Sequence, residues 1–213
     1  FELWAADMGQ GHAVLVRTLH HALLYDTGPR YSRETDAGER VIVPLLRALN
    51  ERLDRVVVSH QDVDHSGGLR AVMAMQPQAD VLTSVALTHP MMAGLRAGAC
   101  HQGQRWQWDG VEFEVLHPPA SLADDRASKP NAHSCVLRIR AADGVNALLV
   151  GDIEAEQERR LLAAGALTRT DWLLVPHHGS STSSTWAFLQ TLQPSWAVVQ
   201  AGYRNRYGHP REE

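Results

Sequence analysis

A run of β-branched residues, Val56-Val57-Val58, passes directly into Ser59-His60-Gln61-Asp62-Val63-Asp64-His65-Ser66-Gly67-Gly68. Such a run reads as a buried strand. A buried strand that delivers His60, Asp62, Asp64 and His65 must find a use for four polar side chains in six residues. Residues two apart at a strand end point the same way, so the loop that follows can fold all four around one centre. A hydrophobic core has no need of that arrangement. For any one of these side chains a solvated polar loop is an adequate explanation; for all four together a metal site is the better one. Gly67-Gly68 then opens a helical segment, Leu69 to Met75.

The same device recurs downstream. Leu148-Leu149-Val150-Gly151 leads to Asp152, and Leu173-Leu174-Val175-Pro176 leads to His177 and His178. Asp152 alone could cap the helix that starts near Glu154; beside the His60 cluster it reads as a bridging metal ligand. Of the two adjacent histidines, His177 is nearer the strand end and is the expected ligand, leaving His178 to support it or to touch substrate. His133 stands at a loop-to-strand junction, where a further ligand or a surface histidine fits equally. This order suits a binuclear hydrolase, in which one carboxylate bridges two ions. Imidazole and carboxylate donors without thiolate point to two divalent ions, Mn2+ or Zn2+, and the share of oxygen donors tilts towards Mn2+. No organic cofactor is expected.

The remaining elements follow from periodicity and turn signals. Strands are expected over residues 1–5, 12–18, 21–26, 53–58, 81–84, 135–140, 147–150, 172–175 and 197–200, with a hairpin over 105–116 turning at Asp109-Gly110. Helices are expected over 41–53, 69–75, 87–97, 154–164 and 185–192, and polar loops over 31–40 and 118–130. The hydroxyl-rich run Ser180 to Thr185 enters a helix whose backbone N–H groups could receive a phosphate. Two runs of strands with interleaved helices imply two sheets face to face, helices outside.

The chain has 213 residues, the size of one large domain. A formal charge of −4 gives no basic signature of a nucleic-acid binder, although bound divalent ions would reverse the local field. Lys129 is the only lysine, and arginine suits bidentate phosphate contacts better. Two cysteines, Cys100 and Cys135, offer neither a disulfide framework nor a Cys-rich zinc motif. No apolar run reaches the ~18 residues of a membrane span. The chain enters a strand at Phe1, as a domain excised from a larger protein would.

Five segments taken together, Asp7-Met8-Gly9-Gln10-Gly11, His60-x-Asp62-x-Asp64-His65-x-Gly67-Gly68, Gly151-Asp152, Pro176-His177-His178-Gly179-Ser180 and Asn205-x-x-Gly208-His209-Pro210, resemble the metallo-β-lactamase superfamily. More closely they look like the C-terminal soluble domain of the ComEC family of DNA-uptake channels. The resemblance implies an α+β fold, an αββα sandwich of two mixed sheets with outer helices. It implies a metal-dependent nuclease that degrades the DNA strand not taken up, with single-stranded DNA as the main partner. The membrane-embedded channel of the same parent protein would be its neighbour, in a bacterial inner membrane with this domain on the extracytoplasmic side. Carried over by position, His60 and Asp62 serve one ion, Asp64 and His65 the other; Asp152 bridges and His177 completes the second. Asp64, His178, Asn205 and His209 are the residues expected to act on substrate, His178 or His209 as proton donor. Asp62 replaces the histidine usual in the superfamily, and His12 stands where an aspartate often ends the first motif. A hydrolase of another ester class, or a module that only binds DNA or a partner, is compatible with the same residues.

Overall fold

In the computed structural model, which describes residues 1–122 and 129–211, the strands form two six-stranded sheets. The first contains β1 (Glu2–Ala5), β2 (Val14–Arg17), β3 (Ala22–Tyr25), β4 (Arg55–Val58), β5 (Asp80–Thr83) and β6 (Ala97–Ala99), in that spatial order. Its first three strands are an antiparallel meander, and β3 to β6 run parallel. The second contains β7 (Arg105–Trp108), β8 (Val111–His117), β9 (Val136–Arg140), β10 (Asn146–Leu149), β11 (Trp172–Leu174) and β12 (Trp196–Val198). It repeats the plan, antiparallel from β7 to β10 and parallel from β10 to β12. Parallel neighbours require crossovers. Helix α1 (Val43–Ala48) connects β3 to β4, and α2 (Val63–Ser66) with α3 (Leu69–Met75) connects β4 to β5. Helices α4 (Ala155–Ala163) and α5 (Trp186–Leu192) serve β10–β11 and β11–β12.

Side-chain alternation builds the layers. Val14, Val16, Leu23, Tyr25 and Val57 face the gap between the sheets, packed with Phe113, Val115, Leu137, Ile139 and Leu149. Their neighbours Leu15, Leu24, Val56 and Val58 turn outward to Leu46, Leu69 and Val72 of the helices. On the other side Val136, Leu148 and Leu173 meet Leu161, Phe188 and Leu192. Strands buried on both faces need apolar residues at every position, which is why these runs are unbroken in the sequence. The expected sandwich of two mixed sheets with outer helices is the observed one. Cys100 and Cys135, which promised no framework, are joined between the sheets with Cα atoms 6.3 Å apart. Beside them the Tyr25 hydroxyl donates to the Cys135 carbonyl at 2.6 Å. Among the described residues no helix is long and apolar enough to cross a membrane.

Several local expectations need correction. The helix expected over 87–97 does not form; only a 3-10 turn, Pro90–Met92, and the strand Ala97–Ala99 are present. Pro90 forces His89 into extended backbone, and Gly94 takes a φ of 78°, so the helical period has no continuous backbone to ride on. The helix expected over 41–53 begins earlier, as a π turn from Gly38 to Ile42 inside the expected loop, and stops at Ala48. Asn50 then adopts a φ of 51°, which ends it. Of the loop expected over 118–130, residues 123–128 lie outside the described residues; 3-10 turns flank them at Ala120–Leu122 and Pro130–His133.

The segment that leads into α5 already spends backbone N–H groups that a phosphate would need. Buried Glu158 of α4 accepts from the backbone N–H of Ser184 at 2.6 Å and of Thr185 at 2.9 Å. The carboxylate therefore caps one helix from the side of another and holds the second crossover in place. Glu158→Ala would orphan both N–H groups and is expected to destabilise the chain by about 2–4 kcal/mol. Urea unfolding should show a lower midpoint at unchanged slope; an unmoved midpoint would show that the cap is dispensable.

Candidate metal centre

The C-terminal ends of β3, β4, β10, β11 and β12 all open on one edge of the sandwich, the usual place for a site in open sheets. Beyond β4, residues 63–66 do not form a loop but the one-turn helix α2, which carries Asp64 and His65. Its backbone is tied to Asp62, whose carbonyl accepts from His65 and Ser66 at 3.0 and 2.9 Å. Beyond β10, Gly151 turns with a φ of 55°, and a Cβ there would lie 3.0 Å from Ser59 and 3.1 Å from Ser134. Glycine is the residue that lets the strand turn under these two serines and present Asp152. The Ser134 hydroxyl then accepts from the Asp152 N–H at 3.1 Å.

Donor atoms from His12, His65, Asp152 and His178 lie within 4.8 Å of one another, all four residues buried. His65 Nε2 is 3.1 Å from Asp152 Oδ1, and His178 Nε2 is 3.3 Å from Asp64 Oδ2 and 3.6 Å from Asp152 Oδ2. His60 adjoins this group, its ring centroid 4.2 Å from that of His65 and its Nε2 3.7 Å from Asp62 Oδ2. The opposite ring nitrogens are all engaged. His65 Nδ1–H donates to Asp26 at 2.8 Å, and His178 Nδ1–H donates to the Gln200 carbonyl at 2.8 Å. The Ser59 hydroxyl donates to Asp26 at 2.8 Å, so its oxygen accepts from His60 Nδ1–H at 3.0 Å. This leaves Nε2 of His60 and of His178 as buried polar atoms that make no hydrogen bond, and His65 Nε2 and Asp152 Oδ1, 3.1 Å apart, with no well-aligned partner beyond each other. Buried polar atoms are nearly always satisfied. A divalent cation would engage the inward atoms of His65, His178 and Asp152 together, with His60 adjoining them, and Nδ1 partners that orient imidazoles are the usual support of metal-binding histidines. The residues therefore fit one or more divalent ions.

The two adjacent histidines are placed differently from the sequence expectation. His177 and His178 both take left-handed backbone, φ 50° and 56°, followed by Gly179 at 78°. Nearness to the strand end implies direction only along extended backbone; three left-handed residues in a row cancel it. His178, 1% exposed, is the one aimed at the carboxylates. His177 lies at the rim, its Nε2 3.8 Å from Asp152 Oδ2 and its Nδ1 3.0 Å from the Thr182 hydroxyl. His133, on the turn that precedes β9, is half-buried and stands outside the central group, near enough to His117 to act on its charge. Asn205 spends its side chain on its own loop. It accepts from the N–H groups of Tyr207 and His209 and donates to the carbonyls of Gly202 and His209. His209 stands over the site, 5.9 Å from His177 and 6.4 Å from His178 between ring centroids.

Two residues of the site were not among the expected ligands. Asp26 follows Leu23-Leu24-Tyr25 as Asp152 follows its own apolar strand, and that shared signature could have singled it out. It is fully buried and accepts from Ser59 N–H, Ser59 hydroxyl and His65. His12 is also fully buried; its ring centroid is 4.1 Å from His178 and 4.8 Å from His65.

Electrostatics couple the group tightly. Burial pushes the Asp152 carboxyl up, but His65 and His178 outweigh it and hold the pKa well below the usual carboxylate range. Burial pushes His65 down, and the charges of Asp152 and Asp26 overcome this and raise it well above an ordinary histidine. Burial also raises Asp64, yet the contact from His178 and the charge of His65 bring it to about 2. Burial, reinforced by His178 and His65, lowers His12.

The family model of the Metallo-beta-lactamase superfamily matches residues 6–200. The chain is 40% identical over 209 residues to "Competence protein ComA" of Neisseria gonorrhoeae, covering 97% of this chain and 28% of that protein. It is 34% identical to "Recombination protein 2" of Haemophilus influenzae (96% and 24% covered) and 30% identical to "ComE operon protein 3" of Bacillus subtilis (97% and 29%). The chain thus spans about a quarter of the length of these relatives. Among solved structures, the Rm3 metallo-beta-lactamase superposes with a TM-score of 0.60 at 17% identity, over 84% of this chain and 77% of its own. A metallo-beta-lactamase from Cronobacter sakazakii does so with 0.59 at 19% identity, over 81% and 75%.

A histidine whose pKa is raised well above the ordinary value carries a proton at neutral pH in the metal-free chain. An ion taking His65 Nε2 must expel that proton, so affinity falls as pH falls. Calorimetric titration with Zn2+ in buffers of different ionisation enthalpy should report net proton release, about one per chain from this residue. Heat that does not depend on the buffer would exclude His65 as a ligand. Asp26→Ala, which frees His65 Nδ1, is expected to weaken binding by roughly 10–100-fold.

Proposed function

The chain belongs to the metallo-β-lactamase superfamily, and we propose that it hydrolyses phosphodiester bonds of DNA, single strands above all, with two divalent ions at the centre just described. The observation that carries this reading is the surface that adjoins the site. A cleft of about 620 Å³ runs from Asp64 between Arg30 and Tyr31 on one side and Tyr203, Arg206 and Tyr207 on the other. Arg204 stacks over Tyr203 at 5.2 Å and Arg206 over Tyr207 at 4.7 Å. Exposed tyrosines interleaved with arginines suit a flexible strand whose bases stack while its phosphates meet guanidinium groups. Tyr203 is 89% exposed, so its ring is accessible to a base. The names of the relatives, competence and recombination proteins, lend support from outside the site.

In this reading Asp64, Asp152, His65 and His178 would hold one ion, and His60 and Asp62, beside Asp152, would contribute to the other. Bound there, divalent ions supply positive charge for the phosphoryl oxygens and make a water acidic near neutral pH. The chain's own residues do the rest. Asp26, Ser59 and Gln200 lock the imidazole orientations. Since His178 gives Nδ1–H to Gln200 and turns Nε2 to the carboxylates, it is committed to the ion, and proton delivery to the leaving oxygen falls to His209. Burial, with His177 and His178, holds His209 below the ordinary histidine pKa, so at neutral pH it is mainly an uncharged imidazole that hydrogen-bonds the leaving oxygen, and it delivers a proton through its imidazolium fraction, returning to neutral imidazole. Asn205 fixes the backbone that carries it and so acts as a positioning residue. The extracytoplasmic face of a membrane-embedded channel is the setting we propose for the domain, and that channel its neighbour.

Incubation of the chain with single-stranded DNA and Mn2+ or Zn2+ should give cleavage that chelator abolishes. Asp64→Ala or Asp152→Ala should reduce it on the order of 10²-fold or more. Cleavage that survives both substitutions would refute the assignment, and turnover of small carboxylic esters without DNA cleavage would move the domain to another hydrolase class. Tyr203→Ala should weaken single-strand binding by about 1–3 kcal/mol while leaving hydrolysis of a small phosphodiester intact.

A further inference from the structure

We infer that His12 is a direct metal ligand, an imidazole added to the group of His65, Asp152 and His178, and that it tips this site away from Mn2+ and towards Zn2+ and similar borderline ions. The inference rests on the metal reading of the centre and not on DNA as the substrate. His12 sits in the turn between β1 and β2, 0% exposed, with both ring nitrogens buried and making no hydrogen bond. A buried imidazole has one donor and one acceptor to satisfy, and an apolar side chain would fill the same space without that cost. Its surroundings are not apolar. His12 Nδ1 is 3.8 Å from Asp152 Oδ1, and the ring lies against His65 and His178.

The backbone fixes the residue to the same frame that holds the other donors. His12 N–H donates to the Asp64 carbonyl at 3.1 Å, and its own carbonyl accepts from Gly28 N–H at 2.8 Å. The next residue, Ala13, donates to the Gln200 side chain at 3.1 Å, while the Gln200 carbonyl receives His178 Nδ1–H. His12 and His178 are thus referenced to one glutamine, one through its side chain and the other through its backbone. With His12 counted, the group offers three imidazoles to the carboxylates of Asp152 and Asp64. Imidazole favours zinc, copper, nickel and iron, whereas carboxylate-rich sets favour manganese. The Mn2+ tilt inferred from oxygen donors alone is reversed at this ion.

The test uses the metal-stripped 213-residue chain, titrated with Co2+ as a coloured probe, then with Zn2+ and Mn2+ in competition. Wild type, His12→Ala, His12→Gln and His12→Asp are compared, with circular dichroism and melting of each metal-free protein as the check on folding. We expect Zn2+ to outcompete Mn2+ in the wild type. His12→Ala and His12→Gln should lose roughly 10–100-fold in Co2+ and Zn2+ affinity and change the visible Co2+ spectrum. His12→Asp should narrow the preference for Zn2+ over Mn2+. Unchanged Co2+ spectrum and affinity in folded His12→Gln, which is close to histidine in size, would overturn the inference. A wild type that binds none of the three ions would remove the metal reading itself, a separate result; DNA cleavage plays no part in either outcome.

Discussion

Asp152 is a carboxylate 3% exposed at the end of an apolar strand, and the organisation of the site follows from its need for positive charge. Burial alone would neutralise it; imidazoles on every side keep it ionised. A buried charge is tolerated only when paired and hydrogen-bonded. In the metal-free chain the pairing falls to a protonated His65, itself held by Asp26 on its far side. A divalent ion replaces that proton with more charge and uses the lone pairs that point inward. The turn at Gly151, the serines over it and the hydrogen bonds behind each histidine are the means by which the chain brings this carboxylate and its partners together.

The division of labour follows from where each part sits. The metal-facing residues stand on strand ends or on the one-turn helix tied to them, backed by a network through Asp26, Ser59, Ser134 and Gln200. Groups so placed hold their geometry because their rotamers are locked from behind. The residues assigned to substrate, His209 with Tyr203 and Tyr207, belong to the loop after the last strand, built on Asn205. Loops on a rigid scaffold are where specificity changes most readily. That is why the superfamily's fold says little about substrate and the cleft beside the candidate metal centre says more.

Much of the scaffold was legible because its signals are local. Double-sided apolar runs named the strands, and period named α3, α4 and α5 closely. His60, Asp62, Asp64, His65 and Asp152 announced themselves as polar residues at apolar strand ends. What was not legible depended on backbone direction or on tertiary partners. The left-handed turn at 177–179 buries His178 and leaves His177 at the rim, and no composition rule reports it. Asp26 carried the right signature but stood in what read as a simple meander. His12 looked like a lapse in a turn motif until the turn was seen to end beside Asp152. The helical period over 87–97 failed because Pro90 and Gly94 break the backbone that the period presumes.

The central claim is that the inward-facing Nε2 atoms of His60, His65 and His178 converge on cations held with Asp152. Anomalous diffraction from crystals of the chain soaked with Zn2+, measured on both sides of the zinc edge, tests it without reference to any activity. A zinc peak about 2.0–2.2 Å from His65 Nε2, His178 Nε2 and an Asp152 oxygen would bear it out, with a second peak near His60 and Asp62 completing the pair. Zinc found only on surface histidines, with these buried nitrogens still unoccupied, would contradict it.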